Sequence, residues 1–315
     1  MLYGKYLFSS VFEDDAILPY YKGSTFRGVF GHALKKVVCA LKRQDCRECL
    51  LRDKCVYSFV FETPDKPDRQ EGKKRIAAPP HPYVIEPPDT NKTHFKKGED
   101  FDFVLILFGK ANEYLPYFIY AFERMGDLGI GKRIDGKRAR FVLKSVMTED
   151  MPVYSGETGK ISAGTAYQEL SIHHNNEEKS PPVSSIELTI KTPLRIKFQN
   201  RLEASLPFHI LIRAVLRRIS SLYNYHGNGE PPLDYRGLVE RAKGIEIKSS
   251  ALRWFDWKRY SNKQDRSMLM GGMTGSVTYC GDLSEFLPLI QFCEKVHLGK
   301  QTSFGLGKIE ITGMR

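Results

Sequence analysis

The sequence predicts an α+β protein of two tandem halves that repeat one order of elements. Three observations carry this expectation. The chain has 315 residues, long enough for two cores, and its 41% hydrophobic and 27% charged residues are the balance of a globular chain. Phe108-Gly109 and Tyr114-Leu115-Pro116 return as Cys280-Gly281 and Phe286-Leu287-Pro288 at one constant spacing. Ala33-Leu34-Lys35-Lys36-Val37 likewise resembles Val215-Leu216-Arg217-Arg218-Ile219. Around each Leu-Pro pair a strand enters a turn, a helix opens, and a Gly-rich loop feeds another strand. Each half then reads strand, helix, strand, strand, helix, strand, which is the ferredoxin-like order.

The elements follow in turn. Leu2 to Phe12 is a strand. Ser24 or Thr25 can cap a helix running to about Leu41. Phe26, Val29, Phe30, Ala33, Leu34, Val37 and Val38 fall at helical spacing and form its buried stripe. A Cys-rich insertion occupies 39–55, and the Pro-rich, charged stretch 63–92 reads as a long surface excursion. Phe101 to Phe108 is a strand and Tyr114 to Met125 a helix. Gly129, Gly131 and Gly136 lead into a basic strand, Arg138 to Val146. The first domain is placed at 1–147, and the polar stretch 148–184 reads as a linker with a short hairpin. The second domain is placed at 185–315. It has a strand at Ile186 to Phe198 and helices at Leu206 to Tyr223 and Leu233 to Ala242. A Trp/Arg-rich stretch follows, then a strand at Gly275 to Cys280. A helix at Ser284 to His297, a Gly-rich loop and a strand at Lys308 to Thr312 complete it.

Lys plus Arg outnumber Asp plus Glu by 48 to 37, and the pI is about 9.2. Such an excess favours a polyanionic partner, because neutralising phosphates releases condensed counterions. The opening MLYGKYLFSSVFEDD lacks the apolar stretch of a signal peptide, and no run approaches the roughly 18 apolar residues of a membrane helix. A cytoplasmic location without a membrane partner is the expectation.

Cys39, Cys46, Cys49 and Cys55 form Cys-x6-Cys-x2-Cys-x5-Cys. Four thiolates at this spacing match a tetrahedral structural zinc site, with an iron–sulfur cluster or four metal-free thiols as the alternatives. Such a site has no open position, so its role is structural. Cys280 and Cys293 read as core.

The segment from His297 to Gly307 is Gly-rich. Glycines let a backbone approach a phosphate and aim amide N–H groups at it. Gly299, Lys300, Thr302, Phe304, Gly305 and Gly307 are therefore candidate RNA contacts, although a plain helix-to-strand turn has the same composition. Cations also gather with aromatics. Lys132, Arg133, Lys137, Arg138 and Arg140 form one group. Arg213, Arg217 and Arg218 mark a helix that also carries His209. Arg253, Trp254, Trp257, Lys258, Arg259 and Tyr260 form a third, in which the two tryptophans, three apart, are equally core residues of one helix face. Such surfaces suit single-stranded or hairpin RNA.

His32 lies opposite the Phe26/Phe30/Val37 stripe on a helical wheel, with Gly28, Lys35 and Lys36. That face offers an imidazole, two ammonium groups and bare backbone at Gly28 and Gly31. The second copy carries Ala214 where the first has His32, so the fold itself does not require the imidazole. A plain surface histidine is the alternative. His297, at the mouth of the Gly-rich loop, is the rival, either contacting substrate or packing beneath the loop. His173-His174 and His209 read as structural or solvated.

Several stretches together resemble one family. They are Tyr21 to Leu34 (YKGSTFRGVFGHAL), Cys46-Arg47-Glu48-Cys49, His81 to Pro88 (HPYVIEPP), Thr192-Pro193-Leu194-Arg195, Trp257 to Ser261, Gly271-Gly272 and the closing Gly-rich loop. The chain is similar to the CRISPR-associated pre-crRNA-processing endoribonucleases of the RAMP superfamily over nearly its whole length outside the linker. The resemblance implies two tandem ferredoxin-like (RAMP/RRM-like) domains and cleavage of CRISPR repeat RNA without a catalytic metal or cofactor. It also implies a tyrosine, Tyr21 or Tyr20, and a lysine, Lys35 or Lys36, working with the helix histidine. Other CRISPR effector subunits are candidate partners. Two other readings stand beside this one: a non-catalytic RNA-binding subunit of an effector complex, and a regulator built around the cysteine site.

Overall fold

The computed structural model describes residues 1–42, 45–62, 79–149, 151–162, 164, 166–172, 182–196, 204–261 and 266–315, with backbone alone at 258–261 and 266–270. His173-His174 and residues 63–78 lie outside the described residues. Two compact units emerge. One comprises Met1–Glu169 with Tyr225–Gly227, the other Leu170–Asn224 with Asn228–Arg315.

The first unit contains β1 (Leu2–Phe12), α1 (Gly23–Val38), β2 (Tyr83–Glu86), β3 (Asp100–Phe108), α2 (Leu115–Leu128) and β4 (Phe141–Met147). The strands lie in the order β4-β1-β3-β2, each antiparallel to its neighbour. Alternation along β1 turns Tyr6, Phe8, Ser10 and Phe12 to the buried face. Phe101, Phe103, Leu105 and Leu107 of β3 continue that face. Phe26, Phe30, Ala33 and Leu34 of α1 cover it with Phe118, Ile119, Phe122 and Met125 of α2. The layer is aromatic. Phe8 stacks on Phe103 at 4.9 Å, and Phe30 stacks on Phe122 at 4.6 Å and on Phe118 at 5.4 Å.

Three expectations need correction in this unit. First, α1 starts at Gly23 and ends at Val38, and its N-cap residue, Lys22, makes no side-chain cap bond. Ser24 and Thr25 sit inside the first turn. The entry is fixed instead by the buried Lys22 side chain, whose Nζ donates to the Tyr20 carbonyl at 3.2 Å and the Thr90 carbonyl at 2.6 Å. Second, the Pro-rich stretch contains β2, with Tyr83, Val84 and Ile85 fully buried. Pro82 and Pro87-Pro88 bound this strand at the sheet edge, where proline is tolerated. Third, the sheet runs past residue 147. Pro152–Ser155 pairs with β4, Lys160–Ile161 pairs back on it, and Gln168–Glu169 pairs with Leu2 and Tyr3. The basic strand also divides, because Ile130–Ile134 and Lys137–Ala139 form a separate hairpin ahead of β4.

The second unit contains β5 (Ser185–Leu194), α3 (Phe208–His226), α4 (Tyr235–Arg241), β6 (Glu246–Ser250), β7 (Arg253–Ser261), β8 (Arg266–Cys280), α5 (Leu287–Val296) and β9 (Ile309–Met314). The order β6-β8-β5-β9 repeats that of the first unit, with β7 pairing along the other half of β8. The fold is therefore α+β with two tandem ferredoxin-like units. Both Leu-Pro pairs open their helices with proline in the first turn. The Trp/Arg-rich stretch is strand rather than helix. Its period of two puts Phe255 and Trp257 on one face, stacked at 5.8 Å, and Trp254 on the other.

Phe30→Ala is expected to lower the unfolding free energy by about 3–5 kcal/mol in urea titration. Val142→Ala, at a position 45% exposed on β4, should stay within about 0.5 kcal/mol of the parent.

Candidate active site

Helix geometry decides which side chains of α1 reach water. Its aromatic stripe is buried, while Gly28, His32 and Lys36 are exposed and Lys35 is half-buried. A side chain built at Gly28 would meet no atom within 4 Å, so the space above that turn is open. Gly31 differs from the expectation. A Cβ there would stand 2.8 Å from the Phe61 ring, so this glycine seats an aromatic ring instead of presenting bare backbone. Tyr57 and Phe61, stacked at 5.1 Å, lie along the edge formed by Arg27, Gly31 and Lys35, each one turn from the next. The Arg27 guanidinium sits 5.1 Å over Phe61 and the Lys35 ammonium 5.4 Å over Tyr57.

A second imidazole stands on this edge. His81 Nδ1 lies 3.1 Å from the Val60 carbonyl oxygen, and its Nε2 lies 3.1 Å from Arg27 Nη2. A carbonyl only accepts, so Nδ1 carries the hydrogen and Nε2 accepts from arginine. That arrangement uses a neutral imidazole to aim a guanidinium. The sequence contained no signal for this pair, since the partners are 54 positions apart.

Of the tyrosines ahead of α1, Tyr20 is 53% exposed. Burial, reinforced by Glu86, pushes the Tyr21 hydroxyl well above the ordinary tyrosine range. Tyr21 therefore keeps its proton and is suited to donate a hydrogen bond, not to act as a base.

The Gly-rich loop is closed. Thr302, Phe304, Gly305 and Gly307 are buried, Gly299 is half-buried, and Lys300 is exposed. Phe304 is packed rather than offered for stacking. Four of the loop's backbone amides are engaged: Leu298 N–H donates to Gly307 at 2.8 Å, Lys300 to Arg195 at 3.1 Å, Gly305 to Thr302 at 2.8 Å and Gly307 to Pro193 at 3.2 Å. A Cβ at Gly307 would lie 1.7 Å from the Leu298 oxygen. Thr302, Phe304, Gly305 and Gly307 are buried and pack the loop in the described structure.

His297 is fully buried beneath that loop, with Nδ1 3.0 Å from the Leu306 carbonyl oxygen. Of the two positions offered for it by the sequence, the structure has the one packed beneath the loop. Its backbone has φ 60° and ψ 158°, and Gly129 ends α2 in the same conformation, at 69° and 159°. Holding a histidine there costs on the order of 1–3 kcal/mol. Arg218 offsets the strain by donating from Nε to the His297 carbonyl at 3.1 Å and from Nη2 to the Val296 carbonyl at 2.7 Å. A cation at a helix C-terminus is favourable, and burial pulls the guanidinium pKa down to about 10.

Exposed cations lie elsewhere. Lys132, Arg133, Lys137 and Arg138 line the hairpin over 130–139. Its Asp135-Gly136 turn has φ of 49° and 78°, the conformation that a tight two-residue hairpin needs. Arg140 is instead paired with Asp14 at 3.4 Å and Glu13 at 3.7 Å. Arg213 and Arg217 are exposed one turn apart on α3, while His209 is half-buried, its pKa lowered by burial and by Lys243 and Arg213. Arg259 belongs to β7, where backbone alone is described.

Cys39, Cys46, Cys49 and Cys55 are free and half-buried, and all four line one recess with Leu41, Arg52, Tyr57 and Ser58. Its volume is about 20 Å³. Among the described residues no three His, Cys, Asp or Glu side chains already converge in a metal-binding arrangement. Cys293 is buried, its thiol pushed up to about 12 by burial, and Cys280 is half-buried. Among the described residues no helix is long and apolar enough to cross a membrane.

Known proteins share this architecture. The AF_1859_N family, an N-terminal domain, matches residues 1–166. The family described as CRISPR-associated endoribonuclease Cas6 matches residues 188–309. The AF_1859_N match spans more than half of the chain, which therefore belongs to that family, and its second half carries the match to the Cas6 endoribonucleases. An uncharacterised protein of Archaeoglobus fulgidus is 28% identical over 302 residues, covering 93% of this chain and 92% of that one. Thermus thermophilus Cas6 (TTHB231) has a TM-score of 0.54 at 13% identity and covers 98% of this chain and 97% of its own. A partial Cas6-RT-Cas1–Cas2 complex gives 0.58 at 15% identity, covering all of this chain and 46% of the longer one. At these identities the solved structures speak for the fold alone, and that fold is the one traced above.

Arg218→Leu is expected to destabilise the chain by about 1.5–3 kcal/mol, because two buried carbonyls lose a charged donor. Hydrogen exchange at the Leu298 and Gly307 amides should accelerate with it.

Proposed function

We propose that this chain processes CRISPR repeat RNA by general acid–base chemistry on the solvent face of α1, without a catalytic metal. The observation that carries the reading is the exposed His32 with the exposed Lys36 one helical turn away, in a chain whose second half matches the Cas6 endoribonucleases. The ribose 2′-hydroxyl gives its proton to a base and attacks the adjacent phosphorus. The bond from phosphorus to the 5′ oxygen breaks, and that oxygen takes a proton from an acid. The products end in a 2′,3′-cyclic phosphate and a 5′-hydroxyl. His32 serves as base or acid, since an imidazole exchanges protons near neutral pH. Lys36 stabilises the phosphorane charge, with Lys35 restrained against Tyr57. Tyr21 donates a hydrogen bond. Lys132, Arg133, Arg138, Arg213, Arg217 and Lys300 hold the RNA backbone from exposed positions. Pre-crRNA is the substrate, and other CRISPR proteins are partners, a reading supported by the Cas6-RT-Cas1–Cas2 assembly whose fold this chain shares.

His32→Ala should reduce cleavage of the repeat RNA by roughly 10²–10⁴-fold and leave binding within a few-fold. A substrate with 2′-deoxyribose at the cut should bind and remain whole, and its cleavage would overturn the mechanism. Activity should persist in EDTA under conditions where elemental analysis shows that any thiolate-bound zinc is retained. Replacing Lys132, Arg133, Lys137 and Arg138 by glutamine should flatten the dependence of log affinity on log salt by up to about 3, and an unchanged slope would remove the hairpin from the interface.

A further inference from the structure

We propose that the recess shared by Cys39, Cys46, Cys49 and Cys55 is a structural zinc site that clamps the flank of α1. The proposal does not rest on the RNA-cleavage reading.

Two independent observations meet here. The first is the recess itself, whose lining brings together four cysteines that sequence separates by six, two and five residues. The second is the burial pattern. Among the described residues of 39–55, the four cysteines are half-buried and every other residue is exposed, including Leu41, Leu50 and Leu51. A segment that turns its leucines to water and its thiols inward has no hydrophobic core of its own. Short segments of that kind are ordered by a metal or by disulfides, and these cysteines are free.

The recess also selects the occupant. Its lining supplies sulfur ligands and no imidazole or carboxylate, the donor set that suits zinc or iron. At about 20 Å³ it has room for a water-sized body, which is enough for a single ion. Binding releases four thiol protons to solvent and leaves a centre with two net negative charges. Arg52 in the lining offsets that charge. The thiols turn in to meet the ion, because a preformed site is uncommon before metal binds.

The consequence for the fold follows from where the ligands stand. Cys39 is the residue after α1. Cys55 leads into Tyr57 and Phe61, the rings on the Arg27, Gly31 and Lys35 edge. An ion joining Cys39 to Cys55 ties both ends of that contact.

The test uses the full purified chain. Elemental analysis is expected to find one equivalent of zinc, released by an organomercurial and absent from Cys46→Ser/Cys49→Ser. In the wild-type chain, alkylation of the four cysteines should be at least about tenfold slower with zinc than after its removal, while Cys293 stays unreactive in both. This arm needs no variant, so it decides the matter even where the serine protein does not fold. No bound zinc together with alkylation rates indifferent to added zinc would overturn the proposal. Iron and sulfide in place of zinc, with visible absorption, would also overturn it. Zinc found in a chain that leaves repeat RNA whole would sink the cleavage reading and leave this one standing.

Discussion

The orientation of one helix about its own axis governs the candidate site. Phe30 is held among Phe118, Phe122, Tyr83 and Phe61, with ring centroids 4.6–6.0 Å apart. An α-helix advances about 100° per residue. The residue two positions beyond Phe30 therefore stands about 200° away, and that residue is His32. Lys36 follows one turn later on the same side. The packing of phenylalanines in the core thus aims the imidazole into solvent, and any other rotation of α1 would remove those rings from the sheet. Tyr57 and Phe61 hold the same orientation from the flank.

The two units use one architecture for different ends. Lys36 of α1 and Arg218 of α3 occupy matching places in the repeated sequence, yet Lys36 is exposed and Arg218 is wholly buried. The difference lies in what ends the following helix. In the first unit Gly129 adopts the required positive φ at little cost. In the second, a histidine adopts it, and a buried guanidinium restrains the two carbonyls around it. The second unit therefore commits its helix cation to its own loop, whereas the first leaves its cation available to a ligand.

Much of this was legible in sequence. Periodicity gave β1, the helices and the outward position of His32, because each depends on local spacing and a dominant apolar stripe. The repeat gave the succession of strands and helices in each half through the two Leu-Pro helix starts. What escaped depends on distant partners. β2 lies among prolines and charges, and only its place beside β3 explains three buried residues in a row. The Arg27–His81 pair joins a helix to a loop residue far along the chain. The Gly-rich loop has the composition of a phosphate cradle, and composition does not say where its amide hydrogens go.

That last point shapes how an RNA can be held. A phosphate nest requires N–H groups aimed at open space. In this loop the amides of Leu298, Lys300, Gly305 and Gly307 already donate to carbonyls, and a phosphate would have to break those bonds to gain them. The loop is a structural corner that presents Lys300. The exposed cations proposed to meet a polyanion sit elsewhere, on a tight hairpin and a long helix. Recognition of this kind reads backbone position and charge. The aromatic pair of β7 does not by its packing argue for base contact, because Phe255 and Trp257 are half-buried and stack on each other at 5.8 Å.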